Sequence, residues 1–315
     1  MDIRPDSLEH LSAALSAANA KRERVNSVDL RAFQRVAEYN PEDMTITAEA
    51  GLTLAALQKH LAAHGQWLPL DPPNAECASL ADILNTNASG PRRFGYGTIR
   101  EHLIGLKVVL ADGRVIKSGG KVVKNVAGYD LQKLFVGSHG TLGVIVEVTF
   151  KVRPVAEKEE IVAITCPTFE KVSERIEAVL ASELSPTVLD LHNVGESSGQ
   201  AVKLVIGIDG TREEVEWQRV KVGALGEAVP TNLDYDKQFG NNGVKGPVHR
   251  RSILPSRLTE VISTLRCEQF VARAGNGVVY YRGGTPPPKP EVPTALTRRL
   301  KDIFDPNYVF SELSL

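Results

Sequence analysis

The sequence predicts an α+β protein in two parts, and three observations predict it. The first half is dense in glycine and made of short β-branched runs closed by tight-turn signals. After Pro154 glycine thins out, and strands alternate with amphipathic helices in a βαβ-like order. A proline-rich stretch over residues 284–293 then sets off one last helix. These boundaries give a first domain over 1–154 and an α/β domain over 155–290 with an antiparallel sheet covered by helices. A C-terminal segment, 291–315, should return to the first domain.

Taken in order, residues 6–20 carry apolar residues at helical spacing, with Asp6 as N-cap and Glu9 three residues on. Residues 44–49 alternate as a strand. Residues 53–64 read as a helix capped by Thr53 and stopped by Gly65. The prolines of 68–73 enforce an extended chain. A helix over 79–87 runs into Asn87-Ala-Ser-Gly90. Residues 104–111 and 114–117 form a hairpin through the Asp112-Gly113 turn. A short helix at 130–136 precedes a β-branched strand at 143–153. Beyond it, strands are expected at 160–166 and 202–209, and helices at 168–182, 211–222 and 256–266. A strand over 269–282 and a closing helix over 294–303 complete the order.

Composition excludes several classes. A net charge of −1 over 315 residues gives no basic face for nucleic acid. No run of apolar residues is long enough for a membrane span. The polar start MDIRPDSLEH does not read as a secretory signal. Cys77, Cys166 and Cys267 lie far apart, without metal-type spacing, so an iron–sulfur cluster within the chain is not expected and a reduced, cytoplasmic setting is.

Residues 90–143 hold eleven glycines, a density that permits sharp turns and close backbone approach to a ligand. A run of plain hairpin turns would need the same residues. The order of motifs is more telling: Asn87-Ala-Ser-Gly-Pro-Arg-Arg93, Tyr96-Gly-Thr-Ile-Arg-Glu101, Lys124-Asn-Val-Ala-Gly-Tyr-Asp-Leu131, then Gly137-Ser-His-Gly-Thr-Leu-Gly-Val-Ile145. This succession resembles the PCMH-type FAD-binding domain of the vanillyl-alcohol-oxidase family, as found in glycolate oxidase subunits and D-lactate dehydrogenases. The resemblance implies FAD as cofactor. It places Pro69, Pro72, Asn87, Ala88, Ser89 and Gly90 around the isoalloxazine and diphosphate. It adds Gly97, Thr98, Asn125 and Gly128, and it lines the cofactor with Gly137, Gly140, Thr141, Gly143 and Ile145. Arg92, Arg93 and Arg100 fit either a phosphate partner or a solvated basic turn. Lys124, Tyr129 and His139 are the candidate catalytic groups, with structural roles as the alternative.

The chain departs from that family in three places. Residues 1–50 contain no glycine, so the diphosphate loop of the first subdomain reads as deleted, and Ala81-Asp82 brings a methyl group and a negative charge where relatives have glycines. Both changes weaken the expected hold on FAD. Hydroxy-acid-oxidising relatives carry a His-Ala-Gly-Asp-Gly-Asn-x-His metal motif; here Arg273-Ala-Gly-Asn-Gly-Val-Val-Tyr280 replaces both histidines, so no metal site is expected. Lys301-Asp-Ile-Phe-Asp-Pro306 keeps the start of the family's terminal motif, but Asn307–Leu313 replaces the rest. With Leu254-Pro-Ser-Arg-Leu258, the pattern resembles the shorter, second flavin subunit of bacterial glycolate oxidase complexes. That resemblance implies a catalytic FAD subunit and an iron–sulfur subunit as partners, with electron transfer at the inner membrane face. A stand-alone FAD-dependent dehydrogenase and a flavin-free structural subunit remain the alternatives.

Overall fold

The computed structural model describes residues 1–120, 130–195, 201–241, 246–288 and 294–312. The chain divides into two units: residues 1–88, 98–155 and 290–315, and residues 89–97 and 156–289.

The first unit opens with two short strands, Asp2–Ile3 and Ser27–Val28, paired in parallel and joined by the helix Leu8–Lys21. The N-cap of this helix is Ser7, not Asp6: Ser7 is extended, and its hydroxyl accepts the His10 N–H at 3.2 Å. Asp6 pairs instead with the His10 ring at 3.0 Å. Both residues can cap, and the one whose backbone stays extended takes the role. Leu11, Leu15 and Ala18 bury the inner face of the helix against Val109, Val146 and Phe310.

A five-stranded antiparallel sheet follows, in the order Val36–Asn40, Thr45–Glu49, Val144–Lys151, Leu103–Val109, Val115–Gly119. The long β-branched run Val144–Lys151 pairs on both sides and alternates buried with partly exposed residues over its second half. The hairpin at Asp112-Gly113 is present, with the Gly113 N–H on the Leu110 carbonyl at 3.0 Å. Gly113 has φ +85°, and a Cβ there would meet the Ser12 carbonyl at 2.5 Å, so the turn can dock on the first helix only as glycine. The helices Leu54–Ala62 and Leu80–Thr86, capped by Thr53 and Ser79, pack Leu57, Leu61, Leu80 and Ile83 onto Ile46, Val148 and Phe150.

The helix Thr294–Phe304 packs Phe304 edge-on to Phe135, with ring centroids 5.5 Å apart. Lys301 on this helix is buried. Its ammonium donates to Asp305 Oδ2 at 2.7 Å and to the carbonyls of Thr141, Phe310 and Ser311 at 2.8, 3.1 and 3.0 Å. Asp305 in turn accepts the N–H groups of Val309 and Phe310.

The second unit is built on a seven-stranded antiparallel sheet. Its order is Ala228–Pro230, Lys158–Cys166, Val202–Gly210, Val188–His192, Gln269–Arg273, Val278–Arg282, His249–Ser252. The helices Phe169–Leu180, Arg212–Gly223 and Leu258–Leu265 supply Val172, Val215 and Ile262 to one core. The helix Asp234–Asn241 supplies Tyr235 and Phe239 to the other, with Val188, Val205 and Val271. Residues 269–282, read above as one strand, form a hairpin: Ala274–Asn276 make a 3-10 turn and Gly277 takes φ +65°. Alternation on both sides of the turn hid it. Residues 89–97 belong to this unit: Gly95 donates to the Thr187 carbonyl at 3.1 Å, and Phe94 lies against Gly275, where a Cβ would meet the ring at 2.0 Å.

Replacing Lys301 by Met should destabilise the first unit by about 3–5 kcal/mol, because Asp305 then stays buried without its cation. Urea denaturation of the two proteins checks this; equal midpoints would contradict it.

Candidate functional site

The first unit contains a cleft of about 610 Å³, within the range of small-molecule sites. One wall is the chain leaving the parallel strand pair, Ser27–Arg31. A second is the helix Leu80–Thr86, presenting Ala81, Asp82 and Asn85. A third is the glycine loop, presenting His139, Gly140, Gly143 and Ile145.

These walls are fixed by backbone bonds. The helix is seated by Leu80 N–H on the Leu52 carbonyl and Ala81 N–H on the Ala50 carbonyl, at 2.9 and 2.8 Å. Its C-terminal end closes with Asn87 in the left-handed region, φ +50°, so this residue is where the helix stops. The loop is then pinned to that end: Gly137 N–H donates to Leu84 at 2.8 Å, and His139 N–H to Asn85 at 2.9 Å. Gly137 and Gly140 have φ +77° and +72°. Gly143 has no such angle, but a Cβ there would meet Val108 Cγ1 at 2.6 Å, so close packing requires the glycine.

The residues singled out in the sequence fall into groups. Gly140, Gly143 and Ile145 line the cleft together with His139. Thr141 is buried behind the loop, its hydroxyl donating to the Ser138 carbonyl at 2.7 Å and its carbonyl receiving Lys301. Asn87 and Ala88 belong to the helix end. Pro69 and Pro72 are buried in the extended stretch, where Gln58 brackets the Leu68 backbone. Ser89, Gly90 and Gly97 belong to the second unit. The Thr98 hydroxyl and N–H both serve a capping box with Glu101. Lys124, Asn125, Gly128 and Tyr129 lie outside the described residues. Arg92 is paired with Glu159 at 2.7 Å, and Arg93 donates to Ser89 at 3.3 Å.

Asp29, Gly51 and Asn85 are among the cleft residues not read as site residues from the sequence. A glycine directly after a strand and an asparagine one turn from a helix end were the available signals. Asp29 is clasped by Arg31, whose guanidinium and N–H both donate to it, and this holds its carboxyl down at about 2. Asp82 completes the capping box of its helix, accepting the Ser79 N–H at 3.1 Å and the Ser79 hydroxyl at 2.7 Å.

The cleft fits a flavin in one respect that the structure itself shows. Asn85 Oδ1, on the wall, and Asn87 Oδ1 and Ser138 Oγ, at the junction of helix and loop, are buried without hydrogen-bond partners among the described residues. Buried polar atoms of this kind call for a ligand or water. A flavin, with its N–H and hydroxyl groups, can supply the missing partners.

The second unit holds a separate buried cluster. Arg273 donates to Asp190 at 2.5 Å and to Asp236 at 2.6 Å, and the Tyr235 hydroxyl donates to Asp190 at 2.7 Å. Tyr280 lies 5.9 Å from the Arg273 guanidinium, and His192 stacks on Tyr235 at 4.3 Å. Burial pushes the Asp190 carboxyl up to about 6 against the pull of Arg273, because a second carboxylate, Asp236, shares the one cation. Among the described residues, no group of three or more His, Cys, Asp or Glu side chains is placed to hold a metal.

Comparison with known proteins agrees with this geometry. Residues 1–119 match the family model described as FAD binding domain. The glycolate oxidase subunit GlcD of Bacillus subtilis is 31% identical over 212 residues, 62% of this chain and 45% of that protein. The glycolate oxidase subunit GlcE of Escherichia coli is 38% identical over 129 residues, 41% of this chain and 37% of that protein. A mitochondrial D-lactate dehydrogenase [cytochrome] of Arabidopsis thaliana is 34% identical over 164 residues, 52% of this chain and 29% of that protein. The matched chain thus spans less than half the length of each of these relatives. Two crystal forms of an alkyldihydroxyacetonephosphate synthase share the fold, with TM-scores of 0.72 and 0.75 at 18% identity. They cover 98% and 100% of this chain and 75% and 77% of the other.

Because Asp190 takes up its proton more readily folded than unfolded, its contribution to stability is full below about pH 4 and is lost as pH rises through about 6. The melting temperature of the unmodified protein, relative to the Asp190→Asn variant, should therefore fall between pH 4 and pH 7, by the equivalent of about 2 kcal/mol. A constant difference across that range would rule this out.

Proposed function

We propose that this chain, whose residues 1–119 match the FAD binding domain family model, belongs to the PCMH-type FAD-binding family and serves as an FAD-binding subunit in the oxidation of 2-hydroxy acids by a glycolate-oxidase-like complex. In this reading the first unit holds the flavin, with Gly140 and Gly143 giving it close backbone approach and Asn85 meeting its polar edge. Asn87, Gly137 and Thr141 keep that surface in shape. FAD, when bound, supplies a two-electron acceptor that can hand electrons on singly. The segment 155–290 acts as a cap-type domain, and the C-terminal segment 291–315 braces the flavin loop through Lys301 on the helix Thr294–Phe304.

One observation carries the subunit role. In the stretch that resembles the metal motif of hydroxy-acid-oxidising relatives, Arg273 is buried and engaged by two carboxylates, and Tyr280 stands over it. Neither side chain offers a ligand for a substrate-polarising divalent ion. A chain that keeps the flavin loop but lacks this site is suited to electron transfer or to supporting a catalytic partner. The similarity to glycolate oxidase subunits GlcD and GlcE supports a multi-subunit setting, and the partners in this proposal are a catalytic FAD subunit and an iron–sulfur subunit. No helix among the described residues is long and apolar enough to cross a membrane. Work in the cytoplasm, reaching the inner membrane face through partners, is part of the same proposal.

The purified chain should carry or take up FAD, seen in the visible flavin absorption bands, and should oxidise no glycolate alone. Turnover by the isolated chain would make it a stand-alone dehydrogenase. A colourless protein that cannot be reconstituted would leave a purely structural role.

A further inference from the structure

The cleft is unusual in what it offers an anion. The side chains lining it among the described residues include two carboxylates, Asp29 and Asp82, and one strong cation, Arg31. Arg31 is already spent, since its guanidinium donates to both oxygens of Asp29. That pair is neutral as a whole. Among the described residues of the cleft, Asp82 is left as the uncompensated charge, for its partners, the Ser79 N–H and hydroxyl, are both uncharged.

Four backbone donors of the glycine loop are already engaged within the fold. Phosphates are commonly held by main-chain N–H groups of glycine-rich turns. Here the N–H groups of Gly137, Ser138, His139 and Thr141 point to the carbonyls of Leu84, Phe135, Asn85 and Ser138, at 2.8, 3.2, 2.9 and 3.1 Å. The first turn of the neighbouring helix is used as well, because Asp82 and Ser79 cap it reciprocally. What the wall leaves unmatched is an acceptor, Asn85 Oδ1, buried and without a partner among the described residues.

We propose that this cleft selects a flavin by its neutral, donor-bearing part and works against its diphosphate, with Asp82 as the residue that sets this preference. The inference rests on the flavin reading above and sharpens it: the cofactor is held loosely and exchanges. Free riboflavin, which has the hydroxyls and the N–H but no phosphate, binds at least as tightly as FAD.

Titrating the full-length chain with FAD and with riboflavin, following flavin fluorescence, tests this. Asp82→Asn keeps an acceptor for the Ser79 cap while removing the charge, and Asp29→Asn frees Arg31 by a separate route. Each variant should tighten FAD on the order of three- to tenfold, as expected for one charge acting at short range in a partly solvated site, and leave riboflavin unchanged. Raising the salt should narrow the gap between the two ligands in the unmodified chain. FAD binding more than tenfold tighter than riboflavin, with both variants within twofold of the unmodified chain, would overturn the inference while leaving the flavin reading intact. Binding of neither ligand would overturn both.

Discussion

A single buried ammonium governs the shape of the first unit. Lys301 sits among three carbonyls and a carboxylate, and each of those oxygens belongs to a segment with its own task. Thr141 closes the turn that projects Gly140 toward the cleft. Phe310 and Ser311 form part of the cleft's own lining. Asp305 gathers the backbone of Val309 and Phe310. A buried charge is tolerated only where its hydrogen-bonding capacity is used, and three N–H donors shared among four oxygens meet that condition. The C-terminal segment and the glycine loop are therefore set by one contact, and the cleft inherits its outline from it.

The second unit solves a related problem with the opposite sign. Arg273 brings one positive charge into the sheet, and two carboxylates converge on it. Burial away from water, and secondarily the charge of Asp236, push the Asp190 carboxyl up to about 6. The helix Asp234–Asn241 contributes both Tyr235 and Asp236, so the cluster ties this helix to the sheet face it covers. An arginine in place of a histidine here is thus a structural replacement, with its own partners, and not a vacant ligand position.

Much of the architecture was legible because it follows from local chemistry. Thr53 and Gly65 bracket a helix, Asp112-Gly113 turns a hairpin, and the run Val144–Lys151 is too β-branched to be anything but a strand. The strands Val36–Asn40 and Val188–His192 and the helix Asp234–Asn241 were missed because their patterns are short or polar, and only tertiary partners make them regular. The hairpin at Arg273–Val278 was masked because the residues on both sides of its turn keep the same apolar texture. At the cleft, glycines could be found by their order. Asp29, Gly51 and Asn85 could not, since nothing near them in the chain says that they face one space.

The glycine loop shows why a preserved motif and a preserved binding preference are different things. Gly143 is required because Val108 leaves no room for a side chain. Thr141 is required because its hydroxyl and carbonyl are both committed within the fold. Gly137 and Gly140 are required because the turn needs positive φ. Each of these demands stands with or without a cofactor, so the motif persists for as long as the fold does. The residues proposed to tune the cofactor lie on the facing helix, at Ala81 and Asp82, where Asp82→Asn would remove the charge and still leave an acceptor for the Ser79 cap. The loop therefore reports the fold, and the helix opposite it reports what the fold is now willing to bind.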